Sequence, residues 1–275
     1  MGEVWAGRLG DLRGATTSTG MSLTTTVAYG QFPALTNAGD SHKAHLFLTP
    51  RNFAGCSVAR VLLNPWLTVL KTTDNMVAPP TDYSIAAQDN STSTSVDISS
   101  LDTEANGDWV LVGSHKRFGG MSLDIDSTNS TGSRTLSATY WDGGAWATLT
   151  LTYSVAWTTA FDADTILTWT VPTIWKPDYF HNIYPGHTKG SNYYYDQKPL
   201  YWTKFTVNGA LDSSTTLDHI LAVNRSTGYF ELLSGQPLEL LDKVGFDGMG
   251  CIQAITDAGT ANLVVNLAVE KDGEY

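Results

Sequence analysis

Residues 134–152, RTLSATYWDGGAWATLTLT, decide how this chain is read. Apolar and polar side chains alternate with period two on both sides of Asp142-Gly143-Gly144, and glycines in the bend supply the positive φ of a tight hairpin. A tryptophan stands at each strand end, Trp141 and Trp146. The same alternation recurs outward from the hairpin, in DWVLVGS (108–114), FGGMSLDI (118–125), TILTWTVP (165–172), YWTKFTVN (201–208) and TTLDHILAV (215–223). Gly, Asp, Asn and Ser separate these runs, and windows with apolar residues at helical spacing are few. Short strands with turn signals between them predict an all-β chain with a central two-sheet β-sandwich over 104–225.

The flanks read differently. Residues 1–75 open on a Gly/Thr/Ser-rich extended arm, GATTSTGMSLTTT (14–26), and continue as a strand-rich segment through HKAHLFLTP (42–50) and SVARVLLNPW (57–66), the last being the one part expected to allow a short helix. Residues 76–103 hold APPTDYS and QDNSTSTSVDISS, the poorest periodicity in the chain, and read as a linker or surface excursion. Residues 226–275 give GYFELLS, CIQAIT and ANLVVNLAVE, a small C-terminal β unit below the size that stands alone. Too few apolar residues in the arm offset the entropy of ordering it, and Leu263–Val265 is an unbroken apolar run. Residues 1–40 and 226–275 are therefore expected to carry contacts between copies in a homo-oligomer, while the sandwich folds by itself.

Charge and cysteine content exclude several classes. Lys+Arg number 16 against 27 Asp+Glu, a net charge of −11, which argues against a nucleic-acid binder held by phosphate contacts. No apolar run approaches the ~20 residues that span a bilayer, so no membrane partner is expected. The opening MGEVWAGRLGDLRG lacks the features of a standard secretion signal. Cys56 and Cys251, far apart and without a CxxC, read as two buried small hydrophobes.

Tryptophans of the sandwich are expected to fill its core, as Trp169 does by sharing the face of Leu167 in ILTWTVP. Trp175, outside any strand, is the one expected to be exposed. It belongs to a long aromatic loop, 173–199, with Tyr179, Phe180, Tyr184, Tyr193, Tyr194 and Tyr195. Aromatic rings give contact area at low entropy cost, so Trp175 and these tyrosines are the candidate contact surface for a protein or a glycan. The alternative is a loop folded back on its own sandwich. Asp124, Asp126 and Asn129 have spacing that could hold Ca²⁺, but they lack the glycine and closing Glu of an EF-hand loop, and turn Asx residues usually bond the backbone. No metal or other cofactor is expected. His42-x-x-His45 lies in a strand-like context that splays the two rings apart. GxSxG, HExxH, GxGxxG and a Walker A loop are all missing, so no catalytic residue is assigned.

Taken together, WVLVGSHKRFGGMSLDI, LSATYWDGGAWATL, ILTWTVPTIWKP and YWTKFTVNGALDSSTTLDHI resemble a β-sandwich found in many virion proteins of tailed bacteriophages. The match covers about residues 108–221. Lys204 stands where that pattern often has Arg, and the loop before Tyr201 is longer and richer in tyrosine. The resemblance implies a non-enzymatic structural protein of the head-decoration type, located in the virion and touching the major capsid protein or other virion proteins. The topology also looks similar to the jelly-roll of galactose-binding modules, which keeps a glycan- or receptor-binding module as the alternative function.

Overall fold

The chain is described from a computed structural model covering residues 12–31, 38–72, 79–89, 91, 93–99, 101–184, 187, 193–224 and 229–270. The hairpin forms where its turn chemistry places it. Leu136–Trp141 pairs with Trp146–Leu149, and the Asp142 carboxylate accepts the backbone N–H of Gly144 (2.9 Å) and Ala145 (2.8 Å). Gly143 takes φ +104°, where a side chain would be strained.

From this hairpin a seven-stranded sheet is built in the order Trp146–Leu149, Leu136–Trp141, Leu200–Val207, Val110–Ser114, Thr68–Lys71, Thr81–Asp82, with Pro177–Asp178 added beside Leu200–Tyr201. All its neighbours are antiparallel. A five-stranded sheet runs Thr152–Tyr153, Thr165–Thr168, Gly120–Ser127, Thr216–Val223, Val96–Asp97. The two pack face to face through Val110, Val112 and Phe205 from one and Met121, Leu123, Leu167 and Ile220 from the other. About half of all residues are in strands, so the chain is nearly all β, built of packed antiparallel sheets.

The flanks depart from the sequence-based division. Residues 76–103 are not a surface excursion: Ala87, Val96, Ile98 and Leu101 are buried in the sandwich core. Their contribution escapes a periodicity argument because the strands there are two residues long and side chains complete the backbone bonding. The Gln88 amide bonds both the N–H (2.7 Å) and the C=O (2.6 Å) of Leu67, as a neighbouring strand would, and Ser84 Oγ accepts the Val69 N–H. Residues 76–78, 90, 92 and 100 of that segment lie outside the described residues. Thr68–Lys71, assigned to the N-terminal region, is a strand of the sandwich.

The arm and the C-terminal unit are likewise one structure. An eight-stranded sheet runs Leu12–Leu23, Thr260–Glu270, Ser41–Ala54, Leu238–Gly245, Met249–Thr256, Ala59–Pro65, Phe230–Leu232, with Ala28–Gln31 beside Met249–Thr256. Only the Val244–Met249 bridge joins Leu238–Gly245 to Met249–Thr256. The sheet is therefore two leaves, closing on Leu46, Leu48, Leu263 and Val265 from one side and Val61, Ile252 and Ala254 from the other. The strand Thr260–Glu270 needs no second copy to cover its edges. It is flanked by Leu12–Leu23 and Ser41–Ala54 of the same chain, with Leu263, Val265 and Leu267 buried and Asn262 exposed. Residues 1–11 and 32–37 of the expected arm lie outside the described residues.

Among the described residues, two groups of side chains help to tie this sheet to the sandwich. In one, the side chains of Asn64, Gln253 and Asn224 bond one another (Asn64 Nδ2 to Gln253 Oε1, and Asn224 Nδ2 to Asn64 Oδ1, both 3.0 Å). In the other, the Phe246 ring meets Tyr194 edge-on at 4.8 Å, and the Asp247 carboxylate accepts from Lys198 (2.5 Å) and Lys243 (3.1 Å). His115 feels the charges of this second group, and its Nδ1 is buried with no hydrogen-bond partner among the described residues. Burial, then Lys116, lower its pKa to about 4 against the opposing pull of Asp247 and Asp242. The folded state thus resists a proton that the unfolded chain takes up near the ordinary histidine value. The residue carries no penalty above pH ~6.5, where it is neutral in both states, and it destabilises the folded state progressively as pH falls from there toward 4. Urea midpoints between pH 4 and 7 should show this slope, and His115→Gln should flatten it. Equal slopes in the two proteins would mean that His115 is not the group that titrates.

Candidate contact surface

The aromatic loop is laid over the outer face of the seven-stranded sheet. Alternation along Leu200–Val207 sends Tyr201, Phe205 and Val207 to the sandwich core and Leu200, Trp202 and Lys204 to the outer face, beside Leu70, Leu111 and Trp109. Gly113 lies against Trp202, and a Cβ there would stand 2.7 Å from the indole, so only glycine admits this ring. A single helical turn, Phe180–Ile183 (α1), buries Phe180 and Ile183 on that face, with Tyr184 and Tyr195 beside them. Phe180 is within 5.0–5.4 Å, centroid to centroid, of Tyr184, Tyr195 and Trp202. Burial pushes the Tyr184 hydroxyl up to about 12 and raises Tyr195 further.

Polar bonds close the loop. The buried Asp196 carboxylate accepts the backbone N–H of His181 (2.9 Å) and faces its Nδ1 (2.7 Å), and its second oxygen lies 3.6 Å from His187 Nε2. Tyr194 bonds Ser84 through its hydroxyl (2.8 Å). Trp141 donates to the Asp178 carboxylate (2.9 Å), and Trp202 to the Asp178 carbonyl (3.0 Å). At the far end of the face the Lys204 ammonium is held 2.5 Å from Glu104 Oε1 and 4.3 Å from the centre of the Trp109 ring. This buried cation is neutralised by one carboxylate and one aromatic face, with Trp146 closing the cage.

The expected exposure of Trp175 is corrected. The ring is wholly buried in the two-sheet core against Phe118, Tyr140 and Tyr201, and its indole N–H donates to the Trp202 carbonyl (3.1 Å). The reason is Pro177–Asp178, which pairs with the sheet directly after it and stitches the loop down at that point. Of the six candidates, Trp175, Tyr184 and Tyr195 are buried, and Tyr194 is half-buried under its bonds to Ser84 and Phe246. Tyr179 and Tyr193 remain outward, 39% and 42% exposed, and Val171 and Ile174 are exposed as well. Residues 185–186 and 188–192 of the loop lie outside the described residues.

The calcium candidates are not brought together. Asn129 is buried, its amide N donating to Ala160 O (2.9 Å) and Thr131 O (3.2 Å), and its Oδ1 accepting the N–H groups of Thr131 and Asp212. It is a turn-building asparagine. Asp126 bonds Thr216 Oγ1 (2.9 Å), and Asp124 instead faces His219 and Asp218 across the sheet. Neither of those two residues is distinguished by sequence spacing, because strand pairing alone brings them to Asp124.

No family model, curated protein or solved structure matches this chain.

Proposed function

We propose that the chain is a non-enzymatic structural protein of a tailed-phage virion that decorates or cements the capsid. On this reading its sandwich is of the jelly-roll, galactose-binding-like type, and its partners are the major capsid protein and further copies of itself. The observation that carries the reading is the use made of the aromatic loop. Its large rings and the Asp196 carboxylate beside two histidines hold the described part of the loop against its own sheet, leaving Val171, Ile174, Tyr179 and Tyr193 as outward side chains on a packed support. Rigid apolar and aromatic side chains suit repeated protein contact, where little ordering entropy remains to be lost on binding.

Exposure of the Tyr179 and Tyr193 rings favours the second reading, a glycan- or receptor-binding module, since an outward tyrosine face can stack on a sugar. A reconstruction of the particle that carries the chain separates the two. Density repeated over the shell lattice, with the outward loop residues at a protein contact, is the expected result. Density confined to a tail tip, with saturable glycan binding lost in Tyr179→Ala or Tyr193→Ala, would replace the capsid reading by the second.

A further inference from the structure

The outward face of the five-stranded sheet carries an imidazole and two carboxylates in one place. Gly120–Ser127 and Thr216–Val223 are antiparallel, and His219 lies directly across from Asp124. The register shifts between Leu217 and His219, an irregularity that turns Asp218 to the same side as His219 instead of the opposite face. His219 Nδ1 is 3.6 Å from Asp124 Oδ2 and 3.8 Å from Asp218 Oδ2, and one donor atom from each of the three residues lies within 4.8 Å of the others.

We propose that Asp124, Asp218 and His219 form a binding site for a divalent transition-metal ion of the zinc type, its fourth position open to water.

Three observations support the site. The first is spacing. Both separations exceed the 2.7–3.2 Å of a hydrogen bond, whereas bonds of 2.0–2.2 Å at tetrahedral angles put donor atoms roughly 3.4 Å apart, within a small side-chain rotation of what is found. The second is the state of the carboxylates. Asp89, Asp97, Asp142, Asp162, Asp212 and Asp257 each accept one or more hydrogen bonds from nearby backbone or hydroxyl groups. Asp124 and Asp218 accept none among the described residues, and each has the imidazole of His219 within 4 Å. The third is charge. The charged groups acting on Asp218 are His219 on one side and Asp124, Asp126 and Asp89 on the other, with no lysine or arginine acting on it among the described residues.

The donor set selects the ion. One imidazole nitrogen with two carboxylates suits zinc and its neighbours, whereas Ca²⁺ and Mg²⁺ take oxygen ligands. The three side chains are 18–44% exposed, so an ion can enter from solvent. A bound ion would clamp the two strands across the register shift.

The test is calorimetric titration of the chelator-treated full chain with ZnCl₂, beside CaCl₂ and MgCl₂. One Zn²⁺ should bind per chain and raise the melting temperature, with little or no effect of Ca²⁺ or Mg²⁺. His219→Ala and Asp218→Asn should each weaken that binding tenfold or more while keeping the metal-free melting temperature. His45→Ala, which alters another histidine–carboxylate pair, should leave it unchanged. Co²⁺ should give a visible absorption band that disappears in His219→Ala. If one variant proves unfolded, the other and the Co²⁺ band of the wild type against Asp124→Asn decide. Absence of Zn²⁺ binding, or equal affinity in the wild type and the folded variants, would overturn the proposal.

Discussion

A fragment of residues 104–225, made without the segments on either side, is expected to give the circular dichroism and narrow amide dispersion of an unfolded chain. The cut removes Thr68–Lys71 and the buried Leu67, Val69, Ala87, Val96, Ile98 and Leu101 from the sandwich. Each such side chain contributes about 1–3 kcal/mol by burial, so the sum over these six is roughly 6–18 kcal/mol, comparable with the whole stability of a domain. The cut also bares the edge of Val110–Ser114, whose apolar residues would then invite association. A fragment of residues 66–224 keeps all these groups except the cover from Phe246 and the terminal sheet, and is expected to unfold cooperatively at a lower denaturant midpoint than the full chain. Cooperative unfolding of 104–225 would show that residues 66–103 are dispensable to the core, against their burial.

That contrast marks what the sequence makes legible. Strands that bury one face over several residues announce themselves. Leu136–Trp141, Gly120–Ser127, Leu200–Val207 and Thr216–Val223 fall within the runs that period-two alternation marks, because each sends one set of apolar side chains to the sandwich core. Residues 79–103 do not, since their order comes from Gln88, Ser84 and Asp82 bonding backbone and hydroxyl groups, and an amide or hydroxyl in sequence carries no sign of which group it will satisfy. The pairing of Leu12–Leu23 with Thr260–Glu270 is invisible for another reason: it joins the two ends of the chain, and no local pattern records a partner so distant in sequence. In the candidate surface, the abundance of rings in 173–199 was legible, but their direction was not. Whether a ring faces water or the sheet is decided by Pro177–Asp178 pairing beside Leu200–Tyr201 and by Asp196 drawing in two histidines. The Asp124–Asp218–His219 set lay hidden likewise, in strand register.

Trp175→Ala is expected to lower stability by about 3–5 kcal/mol, a fall of roughly 6–20 °C in melting temperature for a chain of this size. The indole is fully buried and has ring partners on three sides: Phe118 at 5.4 Å, Tyr201 at 5.9 Å and Tyr140 at 6.2 Å. Truncation leaves a cavity among rings that stand on two strands and on the connection before Gly120, which cannot all move inward, so little of the loss is recovered by collapse. It also removes the indole N–H from the Trp202 carbonyl, a buried acceptor. Arg117 adds to the local order by donating to the Trp175 carbonyl (2.9 Å), a bond the substitution keeps in composition but leaves on a loosened segment. Trp175→Phe, which retains most of the volume and loses the N–H, should fall between, at about 1–2 kcal/mol. Tyr179→Ala and Tyr193→Ala, with rings outward, should stay within about 0.5–1 kcal/mol of the wild type. The ordering matters for any binding experiment: a partner lost in Trp175→Ala reports a damaged core, whereas a partner lost in Tyr179→Ala at an unchanged melting temperature reports a contact. An unaltered melting temperature in Trp175→Ala would place that ring on the surface after all and return it to the contact residues.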